Sequence, residues 1–171
     1  MKQIRLFLLI ALMALTSIGV SAQKFGHLNS RLLLMEMPEI KSADSEIEAY
    51  SKQLLSQGET MVSAFETNYQ AYVAEANEGK LSALDMQKKE AALRTEQEGI
   101  KKFEIDMQNK LVAKKEQLYA PLLDKVKAAI DKVGKDNGYT MIFDTSVAGA
   151  IVHAQETEDV MALIKKELGI Q

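Results

Sequence analysis

Nine residues, Asn77-Glu78-Gly79-Lys80-Leu81-Ser82-Ala83-Leu84-Asp85, decide how this chain folds. They stand between two stretches of helix-forming sequence, each far longer than an ordinary helix, and they supply both a stop and a start. Gly79 suits the left-handed residue that ends a helix. Ser82 is a good N-cap with Asp85 three residues on, and Leu81 with Met86 can form a hydrophobic staple. A tight turn after a long helix returns the chain antiparallel, so residues 77–82 predict the tip of a helical hairpin.

Outward from the tip, the N-terminal side has neither proline nor a β-rich run between about Ser42 and Glu78. Apolar or small residues recur at Ile40, Ala43, Ile47, Tyr50, Leu54, Gly58, Met61, Phe65, Tyr69, Tyr72 and Ala76. Ten steps cover 36 residues, a mean of 3.6, so the stripe follows a nearly straight helix rather than a strict heptad supercoil. The returning helix is expected from about Ala83 to Val133, ended by Gly134 and Asn137-Gly138. At 1.5 Å per residue the two arms would be about 55 Å and about 75 Å long. Residues 36–79 carry two basic against nine acidic side chains, whereas residues 80–135 are net basic, which favours pairing the arms. The competing reading is that these charges only keep long helices soluble.

Three residues interrupt the helical pattern. Gly58 and Gly99 fall at about the same level of the hairpin, because position 58 lies opposite about 100–102. Together they suggest a point where the arms bend, close helix packing being the alternative. Pro121 frees the carbonyl of Gln117 and is expected to bend the second helix where arm becomes body, or to break it in two.

The sequence outside the arms predicts a small body of residues 23–38 and 134–171 with the helix bases. Phe25–Asn29 alternates like a short strand, Ser30 can cap a brief helix Arg31–Glu36, and Pro38 interrupts it. Tyr139–Phe143 and Ala150–Ala154, joined by Asp144–Gly149, form a β-hairpin candidate, with Phe25–Asn29 as a third strand. Thr157 is then expected to cap a last helix, Glu158–Leu168, with Asp159 early, Lys165 and Lys166 late and Gly169 as its stop. Three short strands leave open edges that invite pairing with further copies, and a closed ring would cover them.

The first residues read as an export signal: Lys2 and Arg5, an apolar run Leu6–Leu15 too short to span a membrane, and a small-x-small end at Val20-Ser21-Ala22. Cleavage after Ala22 is expected, with an uncleaved anchor as the competitor. Removing Lys2 and Arg5 leaves 19 basic against 24 acidic residues, a net charge of −5. Such a balance does not suit non-specific nucleic-acid binding, which depends on neutralising phosphates. The chain has no cysteine, so disulfides and thiolate metal sites are excluded. His27 and His153, both on expected strands, lack carboxylates at ligand spacing, so no metal site is assigned. No nucleophile triad spacing, phosphate-binding glycine loop or H-E-x-x-H occurs, so no catalytic residue, no cofactor and no enzyme activity is expected.

The order of these elements resembles the Skp/OmpH family of periplasmic chaperones over essentially the whole mature chain. The matching parts are the export signal, the opening strand Phe25-Gly-His-Leu-Asn-Ser30, and the long helix through Lys101-Lys-Phe-Glu104 and Leu122–Val133. They continue with Tyr139–Asp144 and with Ile151-Val-His153 leading to Asp159-Val160 and the terminal helix. The resemblance implies a mainly α fold: a homotrimer whose short strands form a β-barrel body, with three helical hairpins projecting around a cavity. It implies an ATP-independent periplasmic holdase for unfolded outer-membrane β-barrel proteins, delivering them to the outer-membrane assembly machinery, with no nucleic-acid partner.

Within that frame, the soft and aromatic side chains Met61, Phe65, Tyr69, Tyr72, Phe103 and Met107 are the client-contact candidates, unless they only make the hairpin's own seam. Phe25, Leu28, Met141, Ile142, Phe143, Ile151 and Val152 are the candidates for the oligomerisation body. Gly58, Gly99 and Pro121 are the hinge candidates. A passive envelope coiled-coil scaffold that binds one defined partner is the alternative function.

Overall fold

A computed structural model describes residues 23–149, 151–153 and 157–170. The export-signal reading of residues 1–22 lies outside the described residues. The elements run β1 (Lys24–Leu28), α1 (Ser30–Glu36), α2 (Pro38–Asn77), α3 (Ala83–Asp136), β2 (Tyr139–Asp144), β3 (Glu158–Asp159) and α4 (Met161–Leu168).

The hairpin forms as its tip predicts. α2 has 40 residues and α3 has 54, so the arms are about 60 Å and about 80 Å long. Gly79 takes φ +65°, the Lys80 N–H donates to the Glu75 carbonyl and the Gly79 N–H to the Ala76 carbonyl, both at 3.1 Å. These two bonds are the Schellman arrangement that satisfies the last carbonyls of a helix. Ser82 Oγ accepts the Asp85 N–H at 3.2 Å and so caps α3. Pro38 opens α2 at its first turn, where the missing N–H costs nothing.

α3 runs unbroken through Pro121, so the alternative of two separate helices is not what forms, and it corrects one expectation by continuing past Val133 and Gly134 to Asp136. A Cβ on Gly134 would lie 3.5 Å from Ile142 Cδ1, so the packing of α3 on β2 holds a turn that glycine's propensity alone would end. The helix stops where the Asn137 side-chain amide donates to the Val133 carbonyl at 2.8 Å and Gly138 takes φ +69°.

The sheet has the order β2-β1-β3, with β1 central and parallel to both neighbours. The expected antiparallel hairpin of Tyr139–Phe143 with residues 150–154 does not form. Ile151 and His153 are in no strand, and Val152 sits in a bend, 94% exposed; Ala150 and Ala154 lie outside the described residues. After β2 the chain is turned aside. The Thr145 N–H and hydroxyl both donate to the Leu28 carbonyl, at 2.8 and 3.0 Å, and the Ser146 N–H donates to Asp144 Oδ1 at 2.9 Å. The chain then pairs Glu158 and Asp159 with Gly26 and His27, on the other edge of β1. A parallel pair requires a long crossover, and between β1 and β2 that crossover is the whole helical arm.

Two caps are also corrected. Asn29, not Ser30, caps α1, its Oδ1 accepting the Leu32 N–H at 3.1 Å. The Ser30 hydroxyl instead donates to Asp144 Oδ2 at 2.6 Å, tying the start of α1 to the end of β2. Thr157 does not cap the last helix, because Glu158 and Asp159 are taken by β3. Its hydroxyl meets His27 Nδ1 at 2.9 Å, and Asp159 Oδ1 accepts the Met161 N–H at 2.8 Å.

The core lies in the body. Leu28, Leu33, Met37, Val126, Ala129, Val133, Val160 and Ile164 are buried together, joining β1, α1, the base of α3 and α4. From there Ala43, Ile47 and Leu54 carry burial up the arm. Beyond Leu54, towards the tip, no described residue is fully buried. The arm is therefore anchored at its base by apolar packing and becomes progressively open along its length.

Candidate functional site: a groove at mid-arm

The predicted seam residues face the partner helix along most of α2. Each of the eleven from Ile40 to Ala76 is buried or half-buried except Tyr69, which is 51% exposed and stacks on Phe65 with ring centroids 6.2 Å apart. Polar contacts hold the arms together at several levels. Lys125 bonds Glu39 at 2.6 Å, Lys114 bonds Glu46 at 2.5 Å, and Tyr119 donates to Asp44. Farther out, Asn68 donates to Glu96 at 2.9 Å, Tyr72 to Glu90 at 2.7 Å, and Lys89 pairs with Glu75 at 2.7 Å. The bond to Glu90 raises the Tyr72 phenol, the bond to Asp44 raises that of Tyr119, and the bond from Lys125 lowers the Glu39 carboxyl. All three shifts mark cross-arm fastening rather than a reactive group.

Between the Glu46–Lys114 and Glu75–Lys89 pairs the seam opens into a groove of about 350 Å³. Met61, Leu55 and Val62 of α2 and Ile100, Phe103 and Met107 of α3 line it. Gly58 also lines it: a Cβ there would stand 3.3 Å from Phe103 Cε1, so glycine lets the ring lie close against α2. Gly99 faces Met61, whose Cε would be 3.9 Å from an added Cβ, so the two glycines lie about one helical turn apart along the seam rather than at one level. Three carboxylates, Glu59, Glu66 and Glu104, complete the lining, and all are exposed.

Of the six predicted contact residues, the groove brings together Met61, Phe103 and Met107. Phe65, Tyr69 and Tyr72 are absent from its lining; Tyr72 is bonded to Glu90 and Tyr69 stands out from the seam. Leu55 and Val62 escaped the sequence reading because each follows a seam residue, Leu54 or Met61, by one place. Their spacing of seven, on the shoulder of the stripe, was the available signal.

The body candidates divide. Leu28 is 2% exposed and Ile142 packs against the same core, so both serve this chain's own interior. Phe25 and Phe143 are half-buried neighbours, ring centroids 6.1 Å apart, while Met141 and Val152 are exposed. Ile151 is half-buried. His27 bonds Thr157, and His153 is exposed and in no strand. Among the described residues no group of three or more metal-ligating side chains is placed to hold an ion.

The model of the OmpH-like outer membrane protein family matches residues 24–168. The chain belongs to the OmpH-like family. A crystal structure of a candidate outer membrane chaperone (OmpH-like) from Caulobacter crescentus CB15 is similar, with a TM-score of 0.73 at 13% sequence identity. The match covers 88% of this chain and 86% of that one, and at this identity it establishes a shared fold alone. No curated protein matches the sequence. The match to the OmpH-like family takes in both arms and the body, so it includes the elements that build the mid-arm groove.

Proposed function

We propose that this OmpH-like protein is an ATP-independent holdase of the periplasm, which binds unfolded outer-membrane β-barrel proteins between its arms and keeps them from aggregating. The observation that carries the reading is the open seam. A long arm, tightly packed at its base, exposes apolar and methionine surface at mid-length, where soft side chains adapt to varied partners. Family membership supports the same role. In this reading residues 1–22 are a leader removed after Ala22, and residues 23–171 form one domain that assembles as a homotrimer through its short strands. The edges of β2 and β3 and the exposed Met141 and Val152 are the surfaces offered for that closure into a barrel. Met61, Phe103 and Met107 are the first client contacts, with Phe65, Tyr69 and Tyr72 extending the surface towards the tip. Delivery to the outer-membrane assembly machinery completes the role, and no catalytic step is involved.

The test is size-exclusion chromatography with light scattering on the mature protein, alone and after dilution of a urea-denatured outer-membrane β-barrel protein into it. A trimer that shifts to a soluble complex supports the reading. A trimer that leaves the client to precipitate refutes it in favour of a scaffold for one folded partner, and a monomer refutes the assembly.

A further inference from the structure

The cross-arm ion pairs are not spread evenly. Glu39 and Glu46 near the base, and Glu75 near the tip, each find a lysine of α3. Glu59, Glu66 and Glu104 lie between these levels, around the apolar groove, and among the described residues none has an ion-pair partner. The α3 side chain that reaches α2 near Glu66 is itself an acid, Glu96, bonded to Asn68. One cation, Lys110, stands 5.8 Å from the centroid of the Phe103 ring, outside the lining of the groove. The ring's own face therefore attracts positive charge.

Resting on the chaperone reading above, we propose that the groove selects its client segments by charge: an extended stretch with an aromatic or large aliphatic side chain between two cationic ones. The apolar side chain enters among Leu55, Met61, Val62, Ile100, Phe103 and Met107, and the cations meet the three free carboxylates. The dimensions agree. Glu59 and Glu66 are seven residues apart, about 10 Å along the helix. An extended chain advances about 3.3 Å per residue and points alternate side chains the same way, so cations two residues to either side of the apolar one stand about 13 Å apart. Flexible lysine and arginine stems absorb the difference. At about 350 Å³ the groove is near the lower end of ligand clefts and suits one or two side chains, not a folded partner.

Two labelled eleven-residue peptides with the same Leu-Phe core, one flanked by lysines and one by glutamates, test this by fluorescence anisotropy with the mature protein. Two or three exposed charge pairs, each giving up to a few-fold, multiply to about ten-fold tighter binding of the lysine peptide at low ionic strength. The preference is expected to fall within about two-fold in the Glu59→Gln/Glu66→Gln/Glu104→Gln variant, whose exposed substitutions leave folding intact, and likewise at about 0.5 M salt. Equal affinity for the two peptides, or a preference that survives in the triple variant, overturns the proposal. Aggregation of a denatured β-barrel protein, followed in the same samples, separates the two readings. Suppression without charge preference removes the groove's selectivity and leaves the holdase standing, whereas loss of suppression together with loss of binding removes both.

Discussion

Replacing Gly26 by alanine tests the packing of the body at its tightest point. Gly26 is buried in the middle of the central strand, where a Cβ would lie 2.9 Å from Val160 Cγ1 and 3.2 Å from two atoms of the Tyr139 ring. Carbon atoms pack at about 3.5–4.0 Å, so the valine would have to retreat by more than half an ångström. It has nowhere to go: Val160 is 0% exposed, and a β-branched side chain is stiff about its first torsion. Overpacking of this kind costs about 1–3 kcal/mol, against a gain of about 0.4–1 kcal/mol from restricting the unfolded chain. The expected result is a net loss of about 1–2 kcal/mol, read as a lower urea midpoint by circular dichroism at an unchanged slope. Gly26→Ala/Val160→Ala removes the methyl groups in the way. Its loss is therefore expected to be smaller than the sum of the two single losses, by a coupling of about 1 kcal/mol. A Gly26→Ala variant as stable as the parent, or losses that simply add, would refute the account of this contact.

The arms respond oppositely. At Gly99 an added Cβ makes only an ordinary contact at 3.9 Å, so Gly99→Ala is expected to stabilise by about 1 kcal/mol, checked by the same titration. Gly58, Gly99 and Pro121 are proposed as bending points; unchanged arm spread in small-angle scattering of the Gly58→Ala/Gly99→Ala protein would remove the glycine hinge. Ser82→Ala takes away the cap of α3, with an expected loss of about 0.5–2 kcal/mol and faster amide exchange confined to the tip. Burial opposes ionisation of Asp144, but hydrogen bonds from Ser30 and Ser146 outweigh it and lower its carboxyl below the usual range. A lowered folded value contributes stability above the unfolded value of about 3.9, lost as pH falls through the folded one. Asp144→Asn is therefore expected to be less stable near neutrality and to lose less than the parent below about pH 4, measured by urea titration at each pH.

The hairpin was legible because every signal for it is local. The period of the Ile40–Ala76 stripe, the Gly79 stop and the Ser82 cap all act within a few residues, and the structure follows each. The sheet was legible only as three short strands with open edges. Ile151-Val152-His153 has the branched composition of a strand, yet Val152 is almost wholly exposed, because strand propensity expresses a fit to a pleated, half-buried surface. What decided the third strand was the free edge of β1, some 130 residues away, which took Glu158 and Asp159 despite their low strand propensity. The groove was half legible for a related reason. A stripe on one helix shows which side chains enter the seam, but Leu55 and Val62 matter only because Gly58 draws the Phe103 ring in beside them.

The parallel order of the sheet also explains why so long an arm can be loose without endangering the fold. β1 and β2 lie side by side in parallel, so their connection must leave the body and return, and any crossover longer than about a dozen residues closes that geometry. Lengthening such a connection adds little closure cost, since the entropy grows only with the logarithm of loop length. The base of the arm supplies core residues Val126, Ala129 and Val133, and these fix the body whatever the outer turns do. Beyond Leu54 the arm is under no demand to bury its surface for the sake of the sheet. Met61, Phe103 and Met107 are thereby left half-buried around the groove, while the ion pairs at Glu46 and Glu75 fasten the arms on either side of it.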